Sequence, residues 1–427
     1  MHDLLIRNAS LPNGRKGIDI AIKDGKIADV APGVPGEASK CLDLDGWLVT
    51  PPFVNPHFHL DATLSTGRPR VNQSGTLLEG IEIWGELSPT LTVDDIYERA
   101  RELCHWSIAR GCLAIRSHVD ITDNALLAVE ALLSLRDDMA PWIDLQLVAF
   151  PQYGYFRHAN SRENVFRALD RGIDVVGGIP HFERTMDEGG ESVAALCRIA
   201  ADRGLLVDMH CDETDDPNSR HVERLAAEAH RLGLHGRVAG SHLTSMHSMD
   251  NYYVSKLLPL IVEAGVAAVA NPLINIAIQG RHDTYPKRRG LTRVKEMVEA
   301  GIPVALGHDC VMDPWYSLGS HDMLEVVNMA VHVGHMTGVS EMEAMFAGVT
   351  TVAAEVMHLE GYGLEPGCNA DLVVLQARSP VEAIRLRANR LYVLRRGKVI
   401  AESAPQVVSL ALGDERKTVD FIPAGSQ

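Results

Sequence analysis

Eight short apolar runs, each ending in a polar side chain, recur between residues 47 and 310 and leave few folds open. They are WLVTPPFVNPHFH, CLAIRSHVD, WIDLQLVAFPQ, DVVGGIPHFE, LLVDMHCDE, RVAGSHLT, VAAVANPLIN and IPVALGHDC. The runs are rich in β-branched residues, and amphipathic stretches such as VDDIYERARELCHWSIAR separate them. That alternation marks repeated βα units around a parallel sheet. Eight such strands close a barrel, so the expected fold is α/β, a (β/α)8 TIM-like barrel. The run-end residues are His59, His118, Gln152, His181, His210, His242, Asn271 and Asp309. Barrel active sites lie at the carboxyl ends of the strands, so these side chains are expected to converge.

Outside the barrel the pattern changes to short alternating strands with Gly and Asn turns, as in DLLIRNASLPNGRKGIDIAIKDGKIADVAP and RLYVLRRGKVIAES. Both ends of the chain are expected to pair into one small β-sandwich domain, residues 1–51 and 366–427, around a barrel of residues 52–365. The connection from Asp61 to about Pro89 is long for a barrel loop and contains Gly67, Asn72, Gln73, Ser74 and Gly75, which suits a lid over the site.

Composition narrows the function. Forty basic residues stand against fifty-six acidic ones, a formal charge of −16, and no Lys/Arg stripe exists to neutralise phosphates. A small molecule suits this chain better than a polynucleotide. MHDLLIRNAS lacks the features of a signal peptide and no 18-residue apolar stretch occurs, so a cytoplasmic chain without a membrane partner is expected. The seven cysteines are scattered with no CxxC pair, which argues against a disulfide framework or a structural zinc cage.

His57 and His59 lie two apart on a strand, so both side chains face one way and can reach one ion. With His210 and Asp309 from other strand ends they make three imidazoles and a carboxylate, a set suited to Zn²⁺ or Fe²⁺ with room left for water. Such an ion lowers the pKa of water toward neutrality. Glu213 follows His210 by three and is placed to take a proton from water and pass it to a ring nitrogen, so that ammonia leaves. Asp309 is expected to share in the proton transfers and His242 to hydrogen-bond the attacking oxygen. His118, His181 and Asp120 either hold the barrel mouth together or are incidental. No lysine occurs between Lys40 and Lys256, so no carbamylated lysine can bridge two metals there; that favours one metal, although Glu183 offers another bridge. The PCxxC element of the other zinc nucleobase deaminases is missing.

At these residues the chain resembles the amidohydrolase superfamily and, within it, the bacterial cytosine deaminases. NQSGTL, APWIDLQ, VAFPQ, IPHFE, HCDE, ANPL, QGR, DTYPKRRG, TRVKEM, GHD and DPWY fall in that family's order along nearly the whole chain. The resemblance implies one Fe²⁺ or Zn²⁺ per subunit on His57, His59, His210 and Asp309, Glu213 as proton shuttle, and His242 beside the hydroxyl. It also implies that Gln152 reads the amide edge of a pyrimidine, that Leu77, Phe150 and Trp315 form apolar walls, and that the protein is a homo-oligomer, often a hexamer. One position departs from the pattern. Where these deaminases read GHDD, this chain has Gly307, His308, Asp309 and Cys310, a small thiol in place of a carboxylate facing C5 of the base. A 5-methyl base is therefore the expected substrate, with cytosine retained as a second. A buried methyl is worth roughly 0.8 kcal/mol and one methylene discriminates by about 10- to 200-fold. The competing readings are a plain cytosine deaminase, an aminohydrolase of isoguanine or an aminotriazine, a ring-opening amidase, and a non-catalytic metal-binding protein.

Overall fold

The computed structural model describes residues 1–423. Strands β1 (Phe53–Phe58), β2 (Cys112–Asp120), β3 (Asp144–Phe150), β4 (Val175–Gly178), β5 (Leu206–Cys211), β6 (Val238–His242), β7 (Val266–Ala270) and β8 (Val304–Leu306) pair in sequence order. All seven pairings are parallel, and a parallel bridge between Phe58 and Asp309 brings the end of β8 back against β1. The expected (β/α)8 barrel is thus present. Its strands are buried on both faces, which is why they read as continuous apolar runs rather than alternating ones.

The intervening helices follow from local chemistry. Thr92 caps the helix Val93–Ala109, its hydroxyl accepting from the Asp95 N–H at 3.2 Å, and Asp94 and Asp95 sit in the first turn where the helix dipole favours acid. Ile96, Ala100, Leu103, Cys104 and Ser107 form its buried stripe at helical spacing. Thr185 caps Met186–Arg203 in the same way, and Gly204 ends that helix at φ 69°, a conformation that favours glycine.

Both termini form the β domain. One sheet holds His2–Ala9, Ile18–Lys23, Lys26–Ala31 and Ala38–Asp43; the other holds Leu48–Thr50, Leu372–Leu375, Arg390–Arg395 and Lys398–Glu402. Ile6, Ile20 and Ile22 from the first meet Leu372, Val374 and Leu394 from the second in one apolar layer, as in a sandwich. A two-stranded ribbon, Val408–Leu412 with Glu415–Val419, follows.

The segment from Asp61 to Pro89 is not a bare loop. Its second half is the helix Leu77–Leu87, capped by Thr76. Trp84 pins this helix to the barrel by donating from Nε1 to Asp120 Oδ2 at 2.8 Å at the end of β2. Gly80 is needed at its contact with Trp315, because a Cβ there would lie 2.3 Å from Trp315 Cδ1. Among the described residues no helix is long and apolar enough to cross a membrane.

Barrel and β domain are joined by a buried ion pair. Arg390 donates to both Asp322 oxygens, the Nη1 contact at 3.1 Å, and from Nε to Arg110 O at 2.9 Å. Asp322 in turn caps the helix Met323–Val333 through the Leu324 N–H. Removing Arg390 leaves the buried Asp322 with only the partly exposed Arg110, Nη1 3.5 Å from Oδ2, as counter-charge, so Arg390→Ala is expected to lower the unfolding free energy by up to about 3–5 kcal/mol. Denaturant titration measures this, and a loss below about 1 kcal/mol would contradict it.

Candidate active site

The carboxyl ends of the strands bring His57, His59, His210 and Asp309 together. The ligand atoms of these four lie within 4.8 Å of one another, and all four residues are buried. His59 Nε2 is 3.1 Å from His210 Nε2, and both His57 Nε2 and His59 Nε2 are 3.3 Å from Asp309 Oδ1. Donors about 2.1 Å from a shared tetrahedral ion stand roughly 3.4 Å apart, so the set fits one divalent cation. His57 Nε2 is buried without a hydrogen bond, as a ligand nitrogen awaiting a metal is. Gly307 allows this approach: a Cβ there would lie 2.3 Å from Asn271 Oδ1 and 2.8 Å from His57 Cβ.

Among the non-glycine residues at these strand ends that adopt left-handed backbone are His242 at φ 72° and Asp309 at φ 68°. Such conformations cost about 1–3 kcal/mol each and persist where the surroundings fix them. They turn both side chains into the barrel mouth. Asn275 Oδ1 accepts from the Asn271 N–H at 3.3 Å, so its Nδ2 is the group that meets His242 Nδ1 at 3.0 Å. His242 then carries its proton on Nε2, 3.8 Å from Asp309 Oδ2. Burial, against the pull of Asp309, holds the His242 pKa well below the usual imidazole value, leaving a neutral donor.

Glu213 Oε1 lies 3.2 Å from His242 Nδ1. Burial and the nearby charge of Asp309 push the Glu213 carboxyl well above the carboxylate range. Burial acts on Asp309 in the same sense, but the imidazoles around it, His57 and His242 foremost, hold it well below its ordinary value. Two carboxyl groups pushed apart in this way are chemically suited to different tasks, one to holding a proton and the other to staying ionised.

A cavity of about 190 Å³ opens beside this cluster. Its lining includes His59, Leu77, Gln152, His210, Glu213, Asp309, Cys310 and Trp315. That is below the ~300–1,000 Å³ of drug-sized pockets and suits a free base rather than a strand of nucleic acid. Phe150 is placed elsewhere: it stacks on the His210 ring, centroids 4.1 Å apart and planes 16° apart, and does not appear on the cavity wall. Its ring packs against the imidazole of a metal-ligand candidate. Glu183 is also directed away from a bridging role, since Oε1 accepts from the Phe156 N–H at 3.1 Å and Oε2 from the Arg157 N–H at 2.8 Å. Of the other strand-end polar residues, His181 lines the cavity, Asp120 holds Trp84, and His118 packs on His57 with centroids 4.1 Å apart.

Sequence reasoning missed Asn275 and the apolar pair Ile274 and Ile278. The pair stands four apart on the short helix Pro272–Ile278 that follows β7, a helix too brief for that spacing in NPLINIAI to stand out. It also missed Leu78 and Ile81, which the helix Leu77–Leu87 presents to the cavity.

The chain is similar to known proteins over most of its length. An amidohydrolase family model matches residues 40–401. The 5-methylcytosine deaminase of Klebsiella pneumoniae, solved with phosphonocytosine bound, is 41% identical with a TM-score of 0.92, covering 95% of this chain and 99% of that one. The N-isopropylammelide isopropylaminohydrolase of Burkholderia multivorans is 27% identical with a TM-score of 0.82, covering 94% and 99%. A pterin deaminase of Rhizobium rhizogenes is 29% identical over 91% of this chain and 88% of its own. The barrel, the ligand cluster at its carboxyl end and the match over most of the chain lead to one statement: this protein belongs to the amidohydrolase family and is a hydrolase acting on C–N bonds.

Proposed function

We propose that this chain hydrolyses the exocyclic amine of a cytosine-type base, converting 5-methylcytosine and water to thymine and ammonia, with cytosine as a second substrate. The observation that carries the choice of base is the surroundings of Cys310. Its side chain is buried against Ile274 and Ile278, with Leu77, Trp315 and Tyr316 packed around them. Burial and the neighbouring carboxylates Asp309 and Asp313 push the Cys310 thiol well above its ordinary pKa, so it remains neutral. A neutral thiol among isoleucines welcomes a methyl group, whereas a carboxylate in that place would hold polar solvent against C5. The 41% identical deaminase supports the same base class.

In this reading His57, His59, His210 and Asp309 hold one Zn²⁺ or Fe²⁺, which when bound makes water acidic enough to attack at neutral pH. Glu213, protonated more readily than an ordinary carboxyl, carries a proton from the attacking water toward the ring and the departing amine. The Nε2–H of His242 steadies the oxygen that adds to the base. Gln152 offers a donor and an acceptor to the amide edge, while Leu77 and Trp315 close the apolar faces.

Glu213→Gln keeps size and polarity but carries no proton, so kcat is expected to fall by about 10²- to 10⁴-fold with metal content unchanged. Steady-state kinetics beside metal analysis checks both halves; full activity in that variant removes Glu213 from the mechanism. For the base itself, kcat/KM is compared for 5-methylcytosine and cytosine on one metal-loaded preparation, with Cys310→Asp alongside. The wild type is expected to favour the methylated base, within the ~10- to 200-fold that one such group can supply, and the variant to lose that preference. A wild-type preference for cytosine of about tenfold or more would make the protein a plain cytosine deaminase.

A further inference from the structure

Below the ligand cluster the barrel interior is polar where such barrels are ordinarily filled by apolar side chains. Arg116 and Asp208 are 1% and 0% exposed, and Ser241 and His57 are both wholly buried. Alternation along β2 puts Arg116 on the same face as His118, and alternation along β5 puts Asp208 on the same face as His210. Register sets His210 of β5 beside Ser241 of β6.

These residues form a directed chain of hydrogen bonds. Arg116 donates from Nη1 to Asp208 Oδ2 at 2.8 Å, from Nε to Gln146 Oε1 at 2.7 Å and from Nη2 to Val356 O at 2.9 Å. Asp208 Oδ1 meets Ser241 Oγ at 2.6 Å, and Ser241 Oγ meets His57 Nδ1 at 2.9 Å. The direction follows from donor counts. A carboxylate paired with a guanidinium accepts only, so Ser241 gives its single proton to Asp208. Its oxygen can then only accept from His57, which places the imidazole proton on Nδ1. Nε2 is left as a lone pair, and it is the atom beside Asp309 that has no hydrogen bond.

We propose that Ser241 is a positioning residue: backed by the buried Asp208–Arg116 pair, it fixes His57 as the Nδ1–H tautomer and aims Nε2 at the metal. The proposal rests on the ligand assignment above. The chain of hydrogen bonds gives the guanidinium a task reaching the site from three residues away: it holds the Asp208 carboxylate in place, the carboxylate orients the hydroxyl, and the hydroxyl orients the ring. Groups that hold a metal-ligating histidine by its other nitrogen typically alter metal affinity by about 10- to 100-fold when removed.

The test measures metal binding rather than turnover. Metal-stripped wild type and Ser241→Ala are titrated with Zn²⁺ against a competing chelator, and with Co²⁺ while visible absorption is recorded. The wild type is expected to bind one equivalent; if it binds none, the ligand assignment itself fails. With one equivalent bound, Ser241→Ala is expected to bind about 10- to 100-fold more weakly and to give a shifted Co²⁺ spectrum, because the His57 ring is free to flip. Equal affinity and an unchanged spectrum would overturn the proposal while leaving the metal site intact. Circular dichroism reports whether the variant folds. Should it not, Asp208→Asn, which keeps an acceptor for Ser241 but removes the anion, is expected to weaken Zn²⁺ binding in the same direction, and unchanged binding there overturns the proposal equally.

Discussion

The site depends on how tightly imidazoles are packed at the carboxyl end of the barrel. The His57 ring centroid lies 4.1 Å from that of His118, 4.5 Å from His210 and 4.8 Å from His242. Rings this close cannot carry charge together in a buried space. Burial accordingly holds His118, His210 and His242 well below the usual imidazole pKa. Those three rings are neutral nitrogen donors, whereas at His59 burial is outweighed by the hydrogen bond and charge of Asp309 and the pKa is raised. What keeps the cluster from relaxing apart is the closed sheet: each ring stands on a strand whose neighbours fix its height and direction. A loop could not hold such an arrangement within tenths of an ångström.

Much of this was legible in the sequence because barrel strands announce themselves. Two-sided burial makes the runs apolar, and the chemistry sits at the one point in each run where that pattern breaks. His57, His59, His210 and Asp309 could be read as a group for that reason, and Glu213 by its distance from His210. The terminal strands were equally readable, since Gly and Asn turns separate short alternating runs. The helix Leu77–Leu87 was harder, although Thr76 with Glu79 three residues on is a helix-start signal and the structure uses it. Gly67, Asn72 and Gly75 upstream disguised it as part of one long loop.

Other features lie beyond sequence pattern. Phe150 ends an apolar run, and nothing in that run says whether its ring faces the cavity or the back of His210. Arg116, Asp208 and Ser241 come from three separate strands, and each reads singly as an ordinary polar residue in an apolar run. Only register shows that they form a line ending on His57. The pocket walls Ile274 and Ile278 depend on a two-turn helix too short to stand out by periodicity.

The strand Leu48–Thr50 pairs with Leu372–Leu375, and Ile6 and Ile20 share their apolar layer with Leu394. On the ribosome, the first fifty residues therefore emerge with one apolar sheet face and no partner for it until the whole barrel has been synthesised. Loop closure over more than three hundred residues is slow, and exposed apolar strands in the interval invite pairing with other chains. The strands after the barrel supply the apolar surface that covers the amino-terminal sheet. Until those strands are in place, the apolar face of the amino-terminal sheet is the surface of this chain most open to pairing with another copy.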